Sequence, residues 1–131
     1  MLAESLLKQT SVIVWPQAYA IVKAKNYMPG ALAMISDRQE LTVVIDENKI
    51  VSDAVIELSR GWKLLTFDVV LPLEMVGFWT MVSTILSQGG VSLFAISSFS
   101  KDHVLVKQRE LDSAVRLLGD HGCNIDLRNF E

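Results

Sequence analysis

The chain has 131 residues, of which 50% are apolar and 21% charged, with a mean hydropathy of +0.34. This excludes a disordered polymer and supplies enough apolar side chain for one real core or two very small packed units. Twelve Lys and Arg against fifteen Asp and Glu give a formal charge of -3, with the cations scattered, which argues against nucleic acid as a partner.

The opening Met1-Leu2-Ala3-Glu4-Ser5-Leu6-Leu7-Lys8 has too short an apolar part for a secretory signal and carries an acid where such a signal wants bases. The single Cys123 cannot form an internal bridge, so the expected setting is the reducing cytoplasm. The first half reads as β-rich. Val12 to Trp15 and Ala18 to Lys23 flank Pro16-Gln17, which suggests two short strands around a turn. Ala31 to Ser36 and Leu41 to Ile45 bracket Asp37-Arg38-Gln39-Glu40, a composition suited to a hairpin loop. Ile50 to Leu58 fits a short helix or a strand equally well. Arg60-Gly61-Trp62 is a local break rather than a linker, and the halves are expected to share a continuous core.

In the second half the hydrophobic period alternates between about 2 and about 3.6. Lys63 to Leu71 is β-branched and aromatic, and Pro72 closes it as a strand. From Met75 to Ser100 no residue is charged, a length that would suit a membrane helix, but Thr80, Ser83, Thr84, Ser87, Gln88 and further serines interrupt it and Gly89-Gly90 splits it. It reads instead as a helix, a turn and a strand. Phe78, Met81, Val82, Ile85 and Leu86 form one helical stripe, ended by a left-handed cap at the glycine pair. Val91 to Phe99 alternates as a strand, Ser100-Lys101-Asp102 turns, and His103 to Lys107 returns. Leu111, Ala114, Val115 and Leu118 mark a second helix, with Gly119 and Gly122 near its end. Cys123 to Leu127 adds a short last strand. The order strand, helix, strand, strand, helix, strand is that of an α+β, ferredoxin-like (βαββαβ) domain, with both helices on one face of the sheet.

Catalytic motifs are absent: there is no phosphate loop, HExxH, nucleophile elbow or paired-Cys metal pattern, so neither enzyme activity nor a metal or cofactor is expected. His103 reads as a strand-start residue, His121 as a helix-end residue near the negative dipole end, and Cys123 as a small buried hydrophobe. Asp46-Glu47 and Glu110 with Asp112 read as solvated faces. Two features exceed packing. The loop Leu73-Glu74-Met75-Val76-Gly77 leads into a helix without a Ser, Thr or Asp cap, leaving backbone N–H groups for an acceptor such as a carboxylate, though water or Glu74 would also serve. The polar stretch Ser97 to Asp102 ends an apolar strand, where hydroxyls and a carboxylate would line a site or simply make a turn.

The segment GFWTMVSTILSQGGVSLFAISSFSKDHVLV, Gly77 to Val106, resembles the small ACT-domain proteins related to the animal cytosolic arginine sensors, on Gly77, Gly90, the run Val91 to Ser97, Asp102, Leu105 and Val106. Gly61-Trp62 and Gln17 to Val22 are similar to earlier parts of the same pattern. The resemblance implies an ACT domain at 61–131 preceded by an abbreviated, β-rich ACT-like unit at 1–60. It also implies a non-catalytic regulatory protein that binds a small molecule of the amino-acid class. Carried over residue by residue, Met75, Val76, Gly77 and Phe78 offer N–H groups to the ligand carboxylate, and Ser97, Ser98 and Asp102 face its ammonium and side chain. A homodimer is expected to cover the pocket. The alternative is a structural protein-protein interaction module with no small ligand. The family's Thr-Tyr is Ser98-Phe99 here and its Asp is followed by His103, so ligand identity is not inherited and arginine is not implied.

Overall fold

The computed structural model describes residues 3–69 and 77–128. The chain divides into two compact units, Met1–Pro16 with Lys63–Glu131, and Gln17–Trp62. Both divisions fall inside long strands, β1 (Ser11–Ala24) and β4 (Val55–Asp68), so residues 60 and 61 lie within β4 rather than at its end.

The unit Gln17–Trp62 is all β, with β2 (Ala33–Ser36) and β3 (Leu41–Asp46) joined to the inner parts of β1 and β4 in the order β2-β3-β1-β4. The β1–β3 ladder is antiparallel, from Tyr19 opposite Asp46 to Ala24 opposite Leu41. The β2–β3 hairpin forms as expected, because Asp37 Oδ1 accepts from the N–H groups of Gln39 and Glu40 at 2.7 and 2.9 Å and so closes its own turn. Ala20, Val22, Ala24, Met28, Val43, Ile45 and Ala54 form the core.

One expectation for this half is corrected and one open reading is resolved. Pro16 does not divide two strands: β1 runs through it. Proline removes only one donor from a ladder, and pairing of Ser11 to Val14 with one neighbour and of Tyr19 to Ala24 with another keeps the chain extended on both sides. The ambiguous segment at 50–58 resolves into a 3₁₀ turn, Ser52–Ala54, followed by the start of β4. Gly61 adopts φ +82° within that strand and donates its N–H to Glu47 Oε2 at 2.7 Å.

The other unit holds α1 (Ala3–Lys8), α2 (Phe78–Gln88) and α3 (Leu111–Asp120) with β5 (Leu93–Ser97), β6 (Asp102–Lys107) and β7 (Asn124–Leu127). Its strand order is β7-β1-β4-β6-β5. Without β1, the order β7-β4-β6-β5 is the ferredoxin-like arrangement the sequence implies. The last strand departs from the simplest version of that plan. β7 pairs in parallel with β1, from Ser11 opposite Asn124 to Val14 opposite Leu127, so the N-terminal strand lies between β7 and β4.

Both helices pack on this sheet through the stripes read from the sequence. Phe78, Val82, Ile85 and Leu86 of α2 and Ala114 and Leu118 of α3 are buried with Leu65, Phe67, Val104 and Val106, while Met81, Leu111 and Val115 are partly buried against them. The two long helices end by one device. Val91 N–H reaches Leu86 O and Gly90 N–H reaches Ser87 O around Gly90 at φ +79°; Cys123 N–H reaches Leu118 O and Gly122 N–H reaches Gly119 O around Gly122 at φ +102°. Each glycine supplies the left-handed residue, and the valine or cysteine after it is buried beside the helix. The short α1 has no counterpart in the sequence reading. Leu7 anchors it in the core and the Thr10 hydroxyl donates to Leu6 O.

Candidate functional site at the helix entry and hairpin end

Of the residues assigned to a ligand site, Met75 and Val76 lie outside the described residues. Gly77 is the N-cap of α2 at φ +98°, a conformation that suits only glycine, and no side chain caps the helix. Its carbonyl accepts the Met81 N–H at 2.9 Å. The N–H groups of Phe78, Trp79 and Thr80 therefore open the helix as donors without an intrahelical acceptor. Phe78 contributes backbone only. Its ring is 1% exposed and meets Phe67 edge-on, with centroids 6.1 Å apart.

The β5–β6 hairpin brings Ser97, Ser98 and Asp102 together. Ser97 and Asp102 face each other in the antiparallel ladder, and the Ser97 hydroxyl donates to Asp102 Oδ1 at 2.6 Å. The turn is closed by Ser98 N–H on Lys101 O at 2.9 Å. Lys101 Nζ reaches Asp68 Oδ1 at 2.7 Å, which ties the hairpin to the end of β4, the strand from which the chain departs toward α2. That bond, with Lys101 as its main cause, holds the Asp68 carboxyl below the usual range.

Sequence reasoning missed the polar chain beneath this turn. Trp15 Nε1–H donates to Thr66 Oγ1 at 2.9 Å, and Thr66 Oγ1 lies 2.9 Å from His103 Nδ1. The other ring nitrogen of His103 lies 3.3 Å from Ser98 Oγ, whose hydroxyl is directed at Lys101 O. One proton arrangement satisfies every group: Thr66 O–H donates to an unprotonated Nδ1, and Nε2–H donates to Ser98. The ring is thus neutral, and burial, assisted by Lys101 and opposed by Asp102, also pushes its pKa down. Ser98 is committed to holding the turn, whereas Asp102 keeps its second carboxylate oxygen. The period-two spacing of Thr66 and Asp68 was a usable signal for part of this cluster; Trp15, from the other end of the chain, gave none.

The remaining chemistry-bearing residues take structural places. His121 Nδ1 lies 2.8 Å from Leu117 O at the end of α3, and burial pushes the Cys123 thiol up to about 11. Glu110, read as solvated, accepts the Ser92 N–H at 2.9 Å, and Asp46 accepts from Asn48 N–H at 2.8 Å. Among the described residues no three His, Cys, Asp or Glu side chains group as a metal site, and no helix is long and apolar enough to cross a membrane.

Comparison with known proteins places residues 57–120 on the model of the ACT domain, a non-catalytic module type. No curated protein matches the chain in sequence. Among solved structures, a protein of Agrobacterium tumefaciens superposes with a TM-score of 0.80 at 22% identity, covering 93% of this chain and 96% of that one. A Vibrio cholerae protein of unknown function, described as a possible transport protein, gives 0.74 at 22% identity over 91% and 94%. The ligand-free regulatory subunit of aspartate kinase from Thermus thermophilus gives 0.62 at 9% identity over 84% and 95%. The likeness to these structures is one of fold.

Proposed function

With an ACT domain matched over residues 57–120 and regulatory subunits of aspartate kinase sharing its fold, we propose that this chain is a regulatory protein that binds a small metabolite of the amino-acid class. The observation that carries the reading is the α2 entry, where Gly77 leaves the first N–H groups of the helix without a side-chain cap. The ligand carboxylate sits on the N–H groups of Met75, Val76, Gly77 and Phe78. Its ammonium meets Asp102, with Ser97 and Ser98 alongside. The resemblance to small ACT proteins related to arginine sensors supports the amino-acid class without naming the side chain.

Magnitudes decide what else is needed. A sensor responding between micromolar and millimolar requires about 4–8 kcal/mol. The helix end alone contributes about 0.3–1 kcal/mol. Two or three charge-assisted hydrogen bonds of about 1.5–3 kcal/mol each reach the range if water is excluded. We therefore include a cover, supplied by a second copy in a homodimer, and place the protein in the reducing cytoplasm on the strength of its single buried cysteine.

The experiment is a thermal-shift screen of the common amino acids with sedimentation alongside. A true ligand at 100 times its Kd raises stability by about 2.7 kcal/mol. The gain should disappear in Asp102→Ala with the fold retained. A screen without a hit would leave a structural interaction module.

A further inference from the structure

The tip of the β5–β6 hairpin is joined to the body of its sheet through His103. Ser98 and Phe99 at the tip are exposed, whereas Thr66 on β4 is 5% exposed and the His103 ring between them is half-buried. The side-chain bonds that otherwise hold the tip, Ser97 to Asp102 at 2.6 Å and Lys101 to Asp68 at 2.7 Å, are open to solvent.

The buried tie accommodates only a neutral ring. Thr66 Oγ1 already accepts the Trp15 indole N–H at 2.9 Å, and its single hydrogen goes to His103 Nδ1 at 2.9 Å. A proton on Nδ1 reverses that second bond. The Thr66 oxygen then faces two donors, and its own hydrogen is turned away from its acceptor inside a buried site. The surrounding charges do not restore the tie. Asp102, next to His103 in the chain, favours an imidazolium, while burial and Lys101 oppose one. Asp68 on β4 is taken by Lys101, which holds its carboxyl below the usual range, so this bridge stays formed where an imidazole titrates. On the β1 side Arg128 stands 5.5 Å over the Trp15 ring and pairs with Asp126 at 2.9 Å. β5 places the uncharged Ile96 opposite His103. The cost is relieved when the ring leaves toward the exposed turn, and Ser98, 3.3 Å from Nε2, goes with it.

We propose that a proton is an effector of this chain: neutral His103 latches the tip of the β5–β6 hairpin to β4 and β1, and protonation at Nδ1 releases the ring and the Ser98–Lys101 turn. The latch stands whether or not a ligand is held at this hairpin.

The test is an NMR pH titration of the full chain, read in the folded spectrum. Ring nitrogen shifts should show the Nε2–H tautomer at neutral pH, and a His103 midpoint below the ordinary value of about 6.5. The Trp15 indole N–H and the Ser98 amide should titrate with that same midpoint, while the Leu118 amide in α3 does not move. One pH unit below the midpoint, where about nine rings in ten are charged, the Overhauser contact between the α-protons of Ser97 and Asp102 should fall below about half its neutral intensity, while that of Ala95 with Val104, further along the same ladder, is kept. His103→Gln, whose amide can accept from Thr66 and donate to Ser98 but takes up no proton, should keep the Ser97–Asp102 contact throughout. The proposal is overturned by a neutral ring carrying its proton on Nδ1, by Trp15 and Ser98 signals that do not follow the His103 midpoint, by a Ser97–Asp102 contact that survives protonation, or by its loss at the same pH in His103→Gln.

Discussion

Replacing Phe78 by alanine tests the link between the core and the candidate site. Phe78 is the first residue of α2, directly after the left-handed Gly77, and its ring is 1% exposed against the edge of Phe67 at an interplanar angle of 86°. Loss of a buried phenylalanine side chain costs about 3–5 kcal/mol, a figure that includes the cavity left behind. The aromatic pair accounts for about 0.5–1.5 kcal/mol of this. Against a total stability of about 5–15 kcal/mol, Tm should fall by about 10–20 °C at roughly 4 °C per kcal/mol. Phe78→Leu, which keeps most of the volume, should cost less than about 1.5 kcal/mol. Urea denaturation of Phe78→Leu, Phe67→Leu and the double variant would isolate the pair term. A Phe78→Ala cost below about 1 kcal/mol, or full additivity in the cycle, would refute the packing that fixes the α2 entry.

The remaining expectations concern single groups. The unfolded chain carries an ordinary imidazole near 6.5 at position 103, whereas burial lowers the folded pKa. The unfolded state therefore takes up the proton first, and stability, flat above that pH, declines as pH falls from it toward the folded pKa. His103→Gln should flatten this slope in denaturation measured at several pH values; an unchanged slope would remove His103 as its source. Cys123, its thiol pushed up to about 11 by burial, should resist iodoacetamide at neutral pH until the chain is unfolded, and rapid native labelling would contradict its placement. Gly90→Ala meets no atom within 4 Å but must adopt φ +79°, so a backbone cost of about 1–2 kcal/mol is expected, and a neutral result in thermal melts would refute the left-handed cap.

Local pattern carried much of the fold. The α2 and α3 stripes, the glycine caps and the Asp37 hairpin were legible because each depends on residues a few positions apart. Placement of β1 was not legible, since its insertion between β7 and β4 depends on pairing with residues more than a hundred positions away. Pro16 misled for a related reason: a breaker is read from local propensity, and ladders on both sides overrode it. The local features of the candidate site were legible in part. The missing cap before α2 shows in the residue types, as does the Ser-rich strand end. The Trp15–Thr66–His103–Ser98 chain joins four segments by hydrogen bonds that no spacing rule announces. Ser98 at the end of that chain also holds the turn through Lys101 O, while Asp102 Oδ1 accepts from Ser97.

The most direct measurement is of the backbone amides that open α2, by NMR of the full chain with the amino acid that gives the largest thermal shift. Saturable downfield movement of the Met75, Val76, Gly77 and Phe78 amides together with the Asp102 side chain is expected, as the donors acquire a carboxylate. A ligand that binds and stabilises the chain while leaving those amides unmoved would contradict the α2 entry as the place where it is held.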